Sequence, residues 1–279
     1  MPELPEVEAI ARTLRPLVCG QRIHRVHVFH PLATRPQPPG KLIRLAEGRR
    51  IRTVTRRGKY LLLELDRGLI ELHFRLDGRL IWFPNARQFW AKVNRPRDGI
   101  HVDVAFEGIH GVLAFADDRH FGRVHAWKSL SSCLPLGKLG PDAQSPQFTR
   151  KFLSENLCRS RQPIKEFLLN QSKIAGLGNI YSCESLWQAG LYPSRSANSL
   201  QRQEVDRLHK AIVSVLCRAL KCCLVPAPEF ADPDWWFKGL DKILCVYQRE
   251  RQPCTRCARP IRRIRQGGRS TYCCFNCQK

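Results

Sequence analysis

The sequence predicts an α+β protein of two domains, and three observations predict it. One helical stretch at the N-terminus is followed by eight short strand-like runs with almost no helix between them. Beyond about residue 149 the apolar spacing turns helical. The last residues form a small module rich in Cys and Arg. Helix plus strands, then helices, then a Cys-rich ribbon is the pattern of segregated elements rather than of alternating βαβ units.

The elements follow in order. From Leu4 to Val18 the apolar residues Leu4, Val7, Ile10, Leu14, Leu17 and Val18 repeat at helical spacing, and Gly20 is a stop. The strands are Ile23 to Phe29, Arg50 to Thr55, Tyr60 to Leu65, Leu69 to Phe74, Arg79 to Phe83, His101 to Phe106, Val112 to Phe115 and Arg123 to Trp127. Each is short, rich in Val, Ile, Leu and Phe, and bounded by turn signals such as Arg57-Gly58-Lys59, so the run reads as a β-sandwich. Pro31 to Gly40 is Pro-rich and reads as a loop, and Ser129 to Thr149 as a linker. Helices are predicted over Phe148 to Cys158, Pro163 to Asn170, Ile180 to Ala189 and Leu200 to Leu224. Pro226 to Lys242 is irregular. The expected domains are an N-terminal sandwich over residues 1–130, a linker over 131–148, a helical domain over 149–244 and the Cys-rich module over 245–279.

Charge narrows the partners. Lys and Arg number 47 against 24 Asp and Glu, a formal charge of +23, which calls for a polyanion. No apolar run reaches the roughly 18 residues of a spanning helix, so nucleic acid is expected rather than membrane. The chain opens with acids and lacks the basic-then-apolar order of a signal peptide, so a cytoplasmic location is expected. Of the 13 Cys, nine (Cys19, Cys133, Cys158, Cys183, Cys217, Cys222, Cys223, Cys245 and Cys273) show no ligand spacing and read as buried small hydrophobes.

The other four read Cys254-x2-Cys257-x16-Cys274-x2-Cys277. Two C-x2-C knuckles supply four thiolates for one tetrahedral zinc, with no position left open for catalysis. Cys273 offers a second register of C-x3-C type. Between the knuckles lie Arg259, Arg262, Arg263, Arg265 and Arg269, a hairpin fitted to grip phosphate or simply a basic surface.

The opening octapeptide Met1-Pro2-Glu3-Leu4-Pro5-Glu6-Val7-Glu8 carries a second chemistry. If Met1 is trimmed, the Pro2 nitrogen becomes a secondary amine titrating near neutrality. Such an amine attacks a sugar carbon to form a Schiff base, and the adjacent Glu3 can serve as general acid. Pro and acids at a helix start are also ordinary capping chemistry, so these residues alone leave both readings open. Similarly, Gly176-x-Gly178-Asn179 ahead of a helix either brings backbone N–H groups to a phosphate or makes a plain turn.

The octapeptide, the stretch Ile164 to Pro193, the turn Arg56-Arg57-Gly58-Lys59-Tyr60 and the zinc module occur in one order that resembles the formamidopyrimidine-DNA glycosylases. These are the Fpg (MutM) branch of the Fpg/Nei family of DNA glycosylases. The resemblance spans nearly the whole chain. It implies a helix–two-turns–helix over Ile164 to Pro193 and a monomeric repair enzyme with double-stranded DNA between its two domains. That enzyme removes oxidised purines (8-oxoguanine and formamidopyrimidines) in base excision repair. The implied mechanism is a Schiff base on Pro2, protonation by Glu3, and β,δ-elimination that cuts the strand, making it both glycosylase and AP lyase. Glu6 would support the amine or a water. By the same resemblance Lys59, Asn179 and Arg269 hold phosphates. Leu76, Arg119 and Phe121 would fill the gap left when the damaged nucleotide swings out, which chemistry at a stacked base requires.

The chain departs from the pattern in places. Leu76 stands where the family has Met, and His120 where a second Arg is common. Gln248 replaces the usual Gly. Val225 to Lys242 does not match the family's lesion-covering loop, although Trp235, Trp236 and Phe237 could stack on a base. Two other readings therefore stay open: the same chemistry on oxidised pyrimidines, as in the Nei branch, or a damage-binding protein without catalysis.

Overall fold

In a computed structural model of the protein, residues 2–93, 102–108, 111–223 and 239–279 are described. These divide into two compact units, one over Glu6–Gly137 with Pro2, the other over Lys138–Cys223 and Gly239–Lys279 with Glu3–Pro5. Most of the divergent stretch Val225 to Lys242, with Trp235, Trp236 and Phe237, lies outside the described residues.

The first unit is the predicted sandwich. Helix α1 (Leu4–Val18) precedes two four-stranded antiparallel sheets. One has the order β1 (Ile23–Val28), β6 (Val102–Gly108), β7 (Gly111–Ala116), β5 (Arg79–Phe83). The other runs β2 (Ile51–Arg57), β3 (Tyr60–Leu65), β4 (Leu69–His73), β8 (Arg123–Trp127). Inward positions of both sheets, among them Val26, Val54, Leu63, Val104 and Phe106, meet in one core. Helix α1 adds Val7, Ile10, Leu14 and Val18 to it, each at most 3% exposed. Burying an aliphatic side chain this fully is worth about 1.5–3 kcal/mol, which is why the helical spacing survives without help from propensity.

The expected loop over Pro31 to Gly40 is instead a 3-10 turn at Pro31–Thr34 followed by helix α2 (Pro39–Ala46). Proline at a first helical position costs no hydrogen bond and presets φ, so a Pro-rich segment can start a helix as readily as prevent one. Helix α3 (Ala86–Val93) is a second addition to the expected elements; the Asn85 side chain accepts from the Gln88 N–H at its start. A single helical turn, α4 (Leu134–Gly137), closes the unit.

The second unit holds α5 (Arg150–Leu157), α6 (Ile164–Leu169), α7 (Asn179–Ala189) and α8 (Arg202–Cys223), then the hairpin β9 (Arg262–Gln266) and β10 (Arg269–Cys273). Thr149 caps α5, its hydroxyl accepting from the Phe152 N–H. Gly190 ends α7 in the left-handed region (φ 74°) that a side chain rarely adopts. The expected linker is tied down from Gly140 onward: Gly140 donates to the Gln171 carbonyl, and Ala143 and Ala175 share a backbone bond. Of the nine Cys expected to be buried, Cys133, Cys183, Cys223 and Cys273 are, whereas Cys158 and Cys217 are exposed, α8 turning Cys217 away from its apolar stripe. No helix among the described residues is long and apolar enough to cross a membrane.

Candidate active site and nucleic-acid interface

Residues at the extreme N-terminus are unusually deep for a chain end. Pro2 is buried, Glu3 is 1% exposed and Glu6 not at all. In the helical unit the Glu3 carboxylate sits on the N-terminus of α7. It accepts from the N–H of Gly178 at 2.7 Å, Ile180 at 2.9 Å and Tyr181 at 3.4 Å. Those N–H groups have no partner inside the helix, and the helix dipole adds a positive field. The Leu4 N–H meanwhile donates to the Gly176 carbonyl at 3.1 Å.

The Gly176-Leu177-Gly178 turn left two readings open, phosphate approach or a plain turn, and the structure adds a third: the anion on these N–H groups is the protein's own Glu3. The turn is held from behind by Gln171. Its amide oxygen accepts from the Gly176 N–H at 2.9 Å, and its amide nitrogen donates to the Leu177 carbonyl at 2.6 Å.

Asn179 begins α7, and its side-chain nitrogen donates to the Ser270 carbonyl at 2.9 Å. Two expected phosphate ligands, Asn179 and the exposed Arg269, are thus joined through Ser270. Lys165, which sequence reasoning missed, supports the same strand: wholly buried, its Nζ donates to the Ser270 carbonyl at 3.1 Å and the Thr271 hydroxyl at 2.6 Å. Burial lowers its pKa, with the neighbouring Cys183 working the other way. Nothing in a single sequence separates such a lysine from the many exposed ones.

Glu184, which belongs to the stretch Ile164 to Pro193 that carries the resemblance but takes no role from the sequence, is 2% exposed in α7. Its carboxylate accepts from the N–H groups of Cys245, Val246 and Tyr247, each at 2.8–2.9 Å. Burial raises its pKa although those three bonds pull the other way. It fastens the chain just before the Cys-rich module.

In that module the sulfurs of Cys254, Cys257, Cys274 and Cys277 lie within 4.8 Å of one another. Four converging thiols fit one closed structural zinc. Cys273, the alternative ligand, is buried in β10 outside this group, and burial pushes its thiol up to about 12. Cys254 and Cys274 also form the module's core with Cys183, Trp187, Val246 and Ile261. Among the five arginines between the two knuckles, Arg263 pairs with Glu250 at 3.1 Å.

In the sandwich unit, Lys59 follows Gly58 (φ 58°) in the β2–β3 turn and is 7% exposed. The pairing of Tyr60 with His73 sets that turn beside the end of β4. His73 is held down to about 3 by burial first, then by the Arg75 and Lys59 charges. It stays neutral and accepts from the Arg75 N–H at 3.1 Å.

Leu76 and Phe121 are each 46% exposed, unusual for large apolar side chains. Arg119 pairs with Asp77 at 3.0 Å and lies over the Phe121 ring at 4.9 Å, which links the two loops. The buried Asp117 carboxylate accepts from the N–H groups of Arg119 and Gly122 and fixes the second loop.

A buried Pro2, an acid on a helix N-terminus, an arginine-rich hairpin and a four-cysteine module are the features expected of the class of nucleic-acid-processing proteins. Comparison narrows the class. Residues 1–124 match the formamidopyrimidine-DNA glycosylase N-terminal domain, 139–223 the formamidopyrimidine-DNA glycosylase H2TH domain, and 251–279 the zinc finger found in FPG and IleRS. A formamidopyrimidine-DNA glycosylase from Bacillus licheniformis is 36% identical, with 100% of each chain covered. Two Lactococcus lactis structures are 30% identical. A complex of Fpg (MutM) with N7-benzyl-Fapy-dG DNA superposes with a TM-score of 0.87 over 100% of both chains. A complex with DNA containing an AP site gives 0.84 over 99% of both. The chain belongs to the formamidopyrimidine-DNA glycosylase family.

Proposed function

We propose that this chain is a bifunctional DNA glycosylase and AP lyase that removes oxidised purines from double-stranded DNA. The observation that carries the mechanism is the seating of Glu3 on the α7 N-terminus, one residue after Pro2. A carboxyl group held by three backbone donors has a fixed position, and fixed geometry is where much of an enzymatic rate gain arises.

After loss of Met1 the Pro2 nitrogen attacks C1′ of the everted nucleotide. The Glu3 carboxylate takes a proton from the Pro2 ammonium and passes it to the sugar ring oxygen as the ring opens, and the remaining Pro2 N–H proton leaves with the base. The imine formed with Pro2 acidifies C2′, so loss of that proton expels the 3′ phosphate, and a second elimination expels the 5′ phosphate. Glu6, buried in α1, supports the amine. Lys59, Asn179 and Arg269 hold the flanking phosphates, while Leu76, Arg119 and Phe121 occupy the vacated stack. Cys254, Cys257, Cys274 and Cys277 would hold a zinc that braces the β9–β10 hairpin and leaves no open position for a step of the reaction. Electrostatics dominates affinity, so binding weakens steeply with salt. The enzyme works in the cytoplasm, on nucleoid DNA.

Borohydride trapping tests this. The chain without Met1 is mixed with a duplex containing 8-oxoguanine, or with one containing an abasic site, and reduced. An adduct mapped to Pro2 with both is the expected result. An adduct with the abasic duplex alone keeps the nucleophile and moves the base preference toward oxidised pyrimidines. Tight binding without any adduct leaves a damage-binding protein.

A further inference from the structure

Three residues from separate parts of the sandwich converge at a place the proposed reaction does not use. His30 leads into the 3-10 turn Pro31–Thr34, and its N–H donates to the Asp103 carbonyl at 3.2 Å. Asp103 lies where the β6–β7 register slips between Val102 and Val104. Such a bulge re-aims a side chain, and the Asp103 carboxylate is 1% exposed. His120 sits in the Asp117–Gly122 loop with φ 54°, a left-handed conformation uncommon for a residue with a side chain.

The imidazoles of His30 and His120 stack 3.7 Å apart and 8° from parallel, and His120 Nδ1 meets Asp103 Oδ1 at 2.7 Å. Two polar atoms there are left over. His30 Nδ1 and Asp103 Oδ2 are both buried and have no hydrogen-bond partner among the described residues. An orphaned buried donor or acceptor is costly and asks for an explanation. One ligand atom from each of the three residues lies within 4.8 Å of the others.

We propose that His30, Asp103 and His120 form a second metal site, for a divalent transition ion such as zinc. Two imidazoles and a carboxylate are a donor set suited to zinc, and three protein ligands leave one position for water. Donors around tetrahedral zinc stand about 3.3 Å apart for bonds of about 2.0–2.1 Å. Face-to-face rings cannot both aim an in-plane lone pair at one ion, so binding requires the His30 ring to leave the stack and turn Nδ1 toward Asp103, and the ion replaces the hydrogen that bridges His120 and Asp103. Both leftover atoms then have a use. His120 lies between Arg119 and Phe121, so the ion ties the loop carrying them to the sheet at Asp103. That consequence for DNA rests on the proposed function; the binding of metal does not.

The protein carrying its finger zinc is dialysed against micromolar Zn2+, and zinc per chain is counted by mass spectrometry. Wild type is expected to hold two ions. His30→Ala and His120→Asn are each expected to hold one; Asn tolerates the left-handed backbone, and the retained finger zinc reports an intact fold. Co2+ in the second site should show d–d bands without the sulfur-to-cobalt charge-transfer band of a thiolate site. Added Zn2+ should raise the Tm of wild type and not of the variants. One ion in wild type overturns the proposal, as do two ions in both variants or a thiolate band from the second Co2+.

Discussion

Gly178 donates its N–H to the Glu3 carboxylate at 2.7 Å across most of the length of the chain. With the Ile180 N–H at 2.9 Å, this turns a helix N-terminus into a socket for one acid. Glu3→Gln keeps the shape and removes the carboxylate that relays the proton. Excision from an 8-oxoguanine duplex should fall by about 10²–10⁴ while affinity for the duplex changes little. Loss of the charge at the helix terminus should cost about 0.3–1 kcal/mol of stability. Single-turnover excision and a binding isotherm on the same preparation check this; equal losses in both would make Glu3 a structural residue only.

Gly176 stands at φ 100°, and a Cβ there would lie 2.5 Å from Leu4 Cδ1. Both the backbone and the space require glycine. Gly176→Ala should destabilise the protein by about 1–3 kcal/mol and loosen the Leu4–Gly176 bond that positions Glu3. Urea unfolding together with excision kinetics tests it, and a variant of wild-type stability would show that the turn relaxes freely.

Glu184 satisfies three consecutive backbone N–H groups with one carboxylate. Glu184→Ala leaves these donors without their acceptor, at about 1–3 kcal/mol for each that stays buried. The loss should be concentrated in the helical unit. Hydrogen exchange at Cys245, Val246 and Tyr247 should accelerate sharply in the variant, and unchanged exchange there would contradict the assignment.

The Cys-rich module has little apolar mass of its own, since two zinc ligands are part of its core. Chelating the metal, or Cys257→Ser, should therefore unfold β9 and β10. DNA affinity should drop through the loss of Arg269 and its neighbours, whereas the sandwich keeps its circular dichroism. Persistence of DNA binding in metal-free protein would move the phosphate contacts elsewhere.

What the sequence revealed follows from physics that is local. Helix α1 and the eight strands are legible because one side of each faces a core, so burial writes a period of 3.6 or 2 into the residues. Helix α2 is hidden because Pro39 opens it, and α3 because Arg87, Gln88 and Lys92 dilute its apolar face. The zinc ligands are legible from spacing alone. Pro2, Glu3, Lys59, Asn179 and Arg269 are named through the resemblance, but not the geometry that holds them. That Glu3 fills the α7 N-terminus is a pairing of distant residues, and a Gly-x-Gly turn looks the same whichever anion it serves. Lys165, Glu184 and the group of His30, Asp103 and His120 are ordinary polar residues until folding buries them together.

His73 offers a prediction in pH. Its folded pKa of about 3, set by burial and then by the Arg75 and Lys59 charges, lies far below the ordinary value of 6.5. Between those two values the unfolded chain binds a proton that the folded protein refuses. Stability therefore falls as pH drops from about 6.5 toward 3, by at most about 1.4 kcal/mol per pH unit for this one group. Above pH 6.5 the group contributes no slope. His73→Asn removes the titration and keeps an acceptor for the Arg75 N–H. Urea unfolding of the two proteins should give parallel stabilities above neutrality, with the wild type losing ground to the variant as the solution is acidified. The same dependence in both would mean that His73 takes up its proton in the folded state as easily as in the unfolded one. In that case neither burial nor the Arg75 and Lys59 charges would hold the folded ring neutral.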